Sequence, residues 1–333
     1  MRDIARKLVG DGKGVFAADA SPKSMDQRLE SVGVSGGEET RRRYRQMLLS
    51  TAGLSEFIGG IILQDETIRQ KTSDGKLMID LVKDAGIIPG IKVDRGTVDL
   101  ENFPGEKVAE GLDGLRERLA EYYKMGARFT KWRAVIRIDK GIPTTVCLRS
   151  NSENLARFAA LSQEAKMVPI VEPEVVMEGN HTMEECRKTT EDAGRILISV
   201  LAEHDVNFEE MLYKVNMILP GKESNEKVKD EEIAKETIET MRRIIPVEVP
   251  GVVFLSGGQN EIDATKRLNE INQVKADIPW RLTFSFERAL ENATMKIWQG
   301  KDENILEAQK SLLYRAKMNS LASRGMYEEE LQN

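Results

Sequence analysis

The chain has 333 residues, 40% of them apolar and 31% charged, with a formal net charge of −6 and a pI near 5.4. That balance suits one large globular core and argues against a nucleic-acid partner. The longest apolar runs, such as Phe57 to Leu63, fall far below the roughly 18 residues of a membrane span, and Arg2, Asp3, Arg6 and Lys7 break up any N-terminal secretory core, so no membrane partner is expected and the chain reads as cytoplasmic.

In chain order, eight short runs rich in β-branched residues alternate with longer polar, amphipathic stretches. The runs are Gly14 to Asp19, Ile58 to Leu63, Ile88 to Val93, Ala127 to Arg133, Met167 to Glu174, Met211 to Leu219, Gly251 to Gly258 and Arg281 to Phe286. Their starts fall 30 to 44 residues apart, too far for hairpins and right for strand, crossover helix and loops. Helices are predicted over Glu38 to Leu49, Gly111 to Met125, Ser152 to Ala165, Met183 to Glu203, Asp230 to Ile244, Glu261 to Asn272 and Ile305 to Asn319. Eight such units make a closed parallel (β/α)8 TIM barrel of the α/β class the economical arrangement, as a single domain over residues 1–333.

Functional side chains in such barrels lie at the carboxyl ends of strands. Asp19 ends the first run, Lys92 and Asp94 the third, Lys131 and Arg133 the fourth, and Glu172 and Glu174 the fifth. Lys214 sits inside the sixth, Ser256-Gly257-Gly258 ends the seventh, and Ser285 and Arg288 follow the eighth. Lysine in an apolar strand is uncommon, because burial drives its ammonium toward the neutral and nucleophilic amine. Taken alone, Lys214 reads as a paired structural lysine; the set of groups around it argues for carbonyl chemistry through a Schiff base. Glu172 and Glu174 share a strand face, so one of them is expected to have a raised pKa and to serve as acid or base. The bland alternative makes both glutamates salt-bridge partners of Lys131 or Arg133.

Paired glycines at 257 and 258 leave backbone N–H groups open to an anion, and barrels often bind phosphate in the loops after their last two strands. Lys92, with Ser21 and Ser24, suits a second anion across the mouth. Two histidines, His181 and His204, read as solvated surface residues and are too few for a three-histidine zinc site. Cys147 and Cys186 belong to no C-x-x-C motif and read as reduced and structural. No metal and no cofactor are expected.

The runs Phe16-Ala17-Ala18-Asp19, Gly90-Ile91-Lys92-Val93-Asp94, Lys131-Trp132-Arg133, Val168-Pro169-Ile170-Val171-Glu172-Pro173-Glu174, Lys214-Val215-Asn216-Met217, Phe254-Leu255-Ser256-Gly257-Gly258-Gln259 and Leu282-Thr283-Phe284-Ser285 strongly resemble class I fructose-bisphosphate aldolase, from about Gly12 to about Tyr327. The resemblance implies a metal-independent lyase that cleaves fructose 1,6-bisphosphate in glycolysis and gluconeogenesis, with a sugar phosphate as its partner and a homo-oligomer, a tetramer, as its assembly. It makes Lys214 the Schiff-base lysine, Glu172 the main proton shuttle and Glu174 its neighbour. Asp19, beside Lys131, becomes the carboxylate that works on the C4 hydroxyl. Ser256, Gly257 and Arg288 match the C1-phosphate site, Gly258 and Ser285 join the substrate-binding residues, and Ser21, Ser24 and Lys92, with Arg133 close by, match the C6-phosphate region.

Three departures qualify the match. Where the family commonly has Asp-Glu-Ser-Thr-Gly, this chain has Asp19-Ala20-Ser21-Pro22-Lys23, and Glu287 stands where glycine is common before Arg288. The chain also stops at Asn333, so the long mobile tail whose final tyrosine relays a proton in well-known members is expected to be absent, with nothing after Tyr327 reaching the mouth. The alternatives are another Schiff-base sugar-phosphate aldolase or transaldolase, which would lack the second phosphate site, or a non-catalytic scaffold on the same fold.

Overall fold

The computed structural model describes residues 1–274 and 277–329. Eight parallel strands form its centre: β1 (Gly14–Ala17), β2 (Ile58–Leu63), β3 (Ile88–Lys92), β6 (Phe129–Ile136), β7 (Val168–Val175), β8 (Leu212–Val215), β9 (Gly251–Phe254) and β10 (Arg281–Phe284), hydrogen-bonded in that order. The intervening β4 (Thr97–Asp99) and β5 (Lys107–Ala109) form a separate antiparallel hairpin beside the mouth, which the sequence pattern did not suggest. The ring closes between β10 and β1, where the Ala17 N–H donates to the Phe286 carbonyl at 2.9 Å and the Thr283 hydroxyl to the Lys13 carbonyl at 2.9 Å. The α/β barrel expected from the spacing is the fold observed, with all eight core strands found where the apolar runs lie.

Strand parity divides the barrel interior into two halves. Val15 and Ala17, Ile62, Phe129, Val168 and Ile170, Leu212 and Val253 pack into one buried cluster with Ala5, Leu8 and Val9 from the N-terminal helix Arg2–Leu8 and its end. That helix plugs the amino end of the barrel. Phe129 fills the centre, and the chain makes room with glycines: a Cβ on Gly60 would fall 2.8 Å, and one on Gly90 2.3 Å, from its ring. Two residues further along the same strands, the same parity delivers Asp19, Lys92, Lys131, Glu172 and Lys214 to the opposite end. A second, larger apolar layer, holding Trp132, Phe158, Tyr213 and Phe254, fills the space between strands and outer helices.

The predicted helices Glu38–Leu49, Met183–Glu203 and Asp230–Ile244 have the expected bounds, and the others differ at their ends. The helix before β7 starts earlier, at Thr145, because the Thr144 side chain caps it by accepting from the Cys147 N–H at 3.2 Å. Helices Pro22–Ser31 and Arg288–Trp298 are additional; each begins within a few residues of a strand end and carries mouth residues in its first turns. Cys147 and Cys186 are free and buried, and burial pushes their thiols up to about 12 and about 11. His181 corrects the surface reading: it is 4% exposed, and burial lowers its pKa. His204 caps its helix and sits 3.1 Å from Glu153. At the chain end Tyr327 is buried, with its N–H donating to Asn269; residues 330–333, part of the expected short tail, lie outside the described residues. No helix among the described residues is long and apolar enough to cross a membrane.

Candidate active site

The carboxyl end of the barrel opens into a cavity of about 570 Å³. Of the predicted residues, Asp19, Ser21, Ser24, Lys92, Lys131, Arg133, Glu172, Glu174, Lys214, Ser256, Gly257, Ser285 and Arg288 all line it, and Gly258 adjoins it. Register explains the convergence. Lys92 pairs with Lys131 across β3 and β6, and Arg133 with Glu172 across β6 and β7, so each strand adds charges at the level its neighbour has reached.

At the floor of the mouth, four buried groups form a chain. Lys214 Nζ lies 3.0 Å from Glu172 Oε1, Lys131 Nζ lies 3.1 Å from Glu172 Oε2, and Lys131 Nζ lies 2.7 Å from Asp19 Oδ2. Their side chains are between 3% and 5% exposed. Burial pushes both carboxyls up, yet the neighbouring cations outweigh it: Lys131, Lys214 and Lys92 hold Asp19 below its ordinary value, and Lys131, Lys214 and Arg133 do the same for Glu172. Glu172 is therefore not the raised member of the pair, because Lys131, Lys214 and Arg133 surround it. For Lys131 the balance runs the other way. Burial lowers its pKa, but Asp19, Glu172 and Asp94 raise it well above the usual lysine value, so it remains an ammonium. Glu174 takes a structural contact in this arrangement, accepting from Arg133 Nε.

Around this floor the groups suit anions. Ser21 caps helix Pro22–Ser31, its hydroxyl 3.0 Å from that of Ser24 and accepting from the Ser24 N–H at 3.3 Å. Pro22 takes the first helical position, where its missing N–H costs nothing, so the Ala20-Ser21-Pro22 departure still builds a helix N-terminus facing the cavity. Across the mouth Gly257 and Gly258 have φ of 55° and 88°, a left-handed turn suited to glycine. A Cβ on Gly258 would fall 2.6 Å from Lys222 Nζ and 3.4 Å from Arg288 Nη2. Arg288 has no hydrogen-bond or ion-pair partner among the described residues. Ser285 Oγ is buried without a partner. Lys92 donates to the Asp94 carbonyl at 3.1 Å and pairs with its carboxylate.

Sequence reasoning missed Arg28 and Lys222. Arg28 had a signal: it stands seven residues after Ser21 and four after Ser24, the helical spacing that puts three residues on one face. Lys222 had none, since it comes from the loop after β8 and meets Gly258 only through the fold. Among the described residues, no three His, Cys, Asp or Glu side chains are placed to hold a metal ion.

The fold is an eight-stranded parallel barrel with a charged mouth at its carboxyl end, and the proteins it resembles are lyases. The family model for class-I fructose-bisphosphate aldolase matches residues 1–333. A cytosolic fructose-bisphosphate aldolase of Arabidopsis thaliana is 48% identical over 321 residues, 96% of this chain and 82% of the relative. A probable class 1 fructose-bisphosphate aldolase of Xanthomonas axonopodis pv. citri is 47% identical, over 98% of both chains. The solved structure of Plasmodium falciparum fructose-bisphosphate aldolase, in complex with TRAP and a small-molecule inhibitor, superposes with a TM-score of 0.96 at 43% identity, over 98% of this chain and 94% of that one. The chain belongs to the class-I fructose-bisphosphate aldolase family, and fructose-bisphosphate aldolase is its function.

Proposed function

We propose that this chain cleaves fructose 1,6-bisphosphate to dihydroxyacetone phosphate and glyceraldehyde 3-phosphate, reversibly, through an imine on Lys214. The observation that carries this is the buried series Lys214, Glu172, Lys131, Asp19 at contact distance in the barrel mouth. Lys214 passes a proton to Glu172, which is ionised at the outset and lies 3.0 Å from Nζ, and the amine so formed attacks the C2 carbonyl. A second N–H proton moves to the carbonyl oxygen to give the carbinolamine, and Glu172 returns its proton to the departing hydroxyl as water leaves. The iminium then takes the electron pair released when C3–C4 breaks. Asp19, held ionised by Lys131, accepts the C4 hydroxyl proton as glyceraldehyde 3-phosphate forms. Lys131 keeps its charge throughout and fixes both carboxylates in place, and Glu174 restrains Arg133. Protonation of the enamine and hydrolysis of the imine release dihydroxyacetone phosphate and regenerate Lys214.

The helix start at Ser21 and Ser24, with Lys92 and Arg133, serves the C6 phosphate, and Ser256, Gly257, Gly258, Ser285 and Arg288 serve the C1 phosphate. Two anion regions favour a bisphosphate over the singly phosphorylated substrates of other imine-forming barrels. Residues 1–333 act as one catalytic domain in a cytoplasmic homo-oligomer, within glycolysis and gluconeogenesis. Reduction with borohydride in the presence of dihydroxyacetone phosphate should fix a stable mass increase on the peptide containing Lys214. An unmodified Lys214, or the adduct on Lys131, would sink the assignment.

A further inference from the structure

Glu287 is the one carboxylate of the mouth that stands where the aldolase pattern commonly has glycine. Its side chain, 33% exposed, places Oε1 2.6 Å from Arg28 Nη1, and both residues line the cavity. The same Nη1 lies 3.1 Å from Glu291 Oε2. These two acids differ in freedom. Glu291 is fully buried, also accepts from the Tyr44 hydroxyl at 3.3 Å and lies 3.7 Å from Arg45, so it cannot leave. Glu287 sits at the helix start with solvent beside it and can swing away. Arg28 Nη2 is buried without a hydrogen-bond acceptor, and a buried guanidinium N–H with no acceptor favours any arrangement that supplies an oxygen.

Apart from Arg288, the other cations of the mouth are already paired. Lys92, Lys131, Arg133 and Lys214 each already face a carboxylate of the mouth, so a bisphosphate adds negative charge to a nearly balanced site. A carboxylate and a phosphate compete for the same guanidinium donors. We propose that Glu287 is an internal counter-ion that competes with a substrate phosphate for Arg28, which makes it a determinant of affinity for phosphorylated sugars. Arg28, four residues after Ser24 on the same helix, keeps Glu291 and exchanges Glu287 for phosphate oxygens. This rests on the aldolase reading of the mouth.

The test is steady-state cleavage of fructose 1,6-bisphosphate at constant ionic strength, with inorganic phosphate as competitive inhibitor, by the full chain and by Glu287→Gln, Glu287→Gly, Arg28→Gln and Arg28→Gln/Glu287→Gln. Both Glu287 variants should lower KM and the phosphate Ki by roughly three- to tenfold, the effect of about one charged contact. Arg28→Gln should raise both constants, and adding Glu287→Gln to it should change them less than about twofold, since Arg28 is the cation that Glu287 contacts. Unchanged or raised constants in the Glu287 variants overturn the proposal, as does a fall that persists without Arg28. Borohydride trapping on Lys214 separates the two levels: an intact adduct with flat constants sinks only the counter-ion role, whereas a missing adduct sinks the aldolase chemistry itself.

Discussion

The two ends of the barrel interior are built from the same strands and the same side-chain parity, yet they hold opposite contents. The amino half is dry: Leu8 and Val9 of the plug meet Phe129, Ile170, Leu212 and Val253. The carboxyl half buries a linked set of charges that would each be costly alone and that persist because every one has an opposite partner within about hydrogen-bond distance. Stability and function are thus segregated along one axis, and a substitution in either half should report which kind of site it struck.

Lys214→Arg should break the comparison most completely, abolishing cleavage and borohydride trapping while circular dichroism and melting temperature stay near those of the parent. A guanidinium keeps the charge opposite Glu172 and supplies no nucleophile. Retained turnover would remove Lys214 from the mechanism. Glu172→Gln should come next, slowing turnover by roughly 10²-fold or more, the usual worth of a positioned proton-transfer group; near-normal kcat would send the search for the shuttle elsewhere.

Lys131→Met tests whether the charged half needs its pairing. It leaves Asp19 buried without its nearest cation, and breaking a buried pair from one side costs about 3–5 kcal/mol, so denaturant midpoint and activity should fall together. Leu8→Ala is the counterpart in the dry half. A core truncation of that kind costs about 2–5 kcal/mol, and kcat per folded molecule should remain that of the parent. If Leu8→Ala impaired chemistry as much as folding, the two halves would not be separable.

The pH dependence of stability sharpens the same contrast. Asp19 and Glu172 have folded pKa values below their ordinary ones. Their stabilisation is therefore fully present above about pH 4.5, the upper end of the ordinary carboxylate range, and is lost as the pH falls through that range and below. Lys131 has a raised folded value, so its contribution holds through neutral pH and fails only in strong alkali. Melting curves from pH 7 down to 3 should show the parent losing stability on the acid limb more steeply than Lys131→Met, whose carboxylates no longer gain from ionising. Parallel curves would remove the charge chain from the acid limb. The smallest effect belongs to Lys222→Met, expected to raise KM for fructose 1,6-bisphosphate by a few fold through loss of one partly exposed cation beside Gly258; an unchanged KM would make Lys222 a bystander of that turn.

The sequence by itself determined the eight strands, the barrel they imply and nearly all of the mouth. Apolar runs 30 to 44 residues apart leave little choice but parallel strands with crossovers, and period-two alternation puts Lys131 with Arg133, and Glu172 with Glu174, on one face whatever the tertiary detail. What only the tertiary structure decided are the quantities that depend on distances between separate strands and loops. The direction of the Glu172 shift is not contained in its own strand, since the decisive cations, Lys131 and Lys214, arrive from β6 and β8. His181 looked solvated among polar neighbours and is buried by distant chain. Helix Pro22–Ser31 buries only Met25 and Leu29, too thin a stripe to read, and its direction is what carries Arg28 to Glu287. Local pattern follows from backbone periodicity, which a single strand contains in full; electrostatics falls off with through-space separation, which no single strand contains.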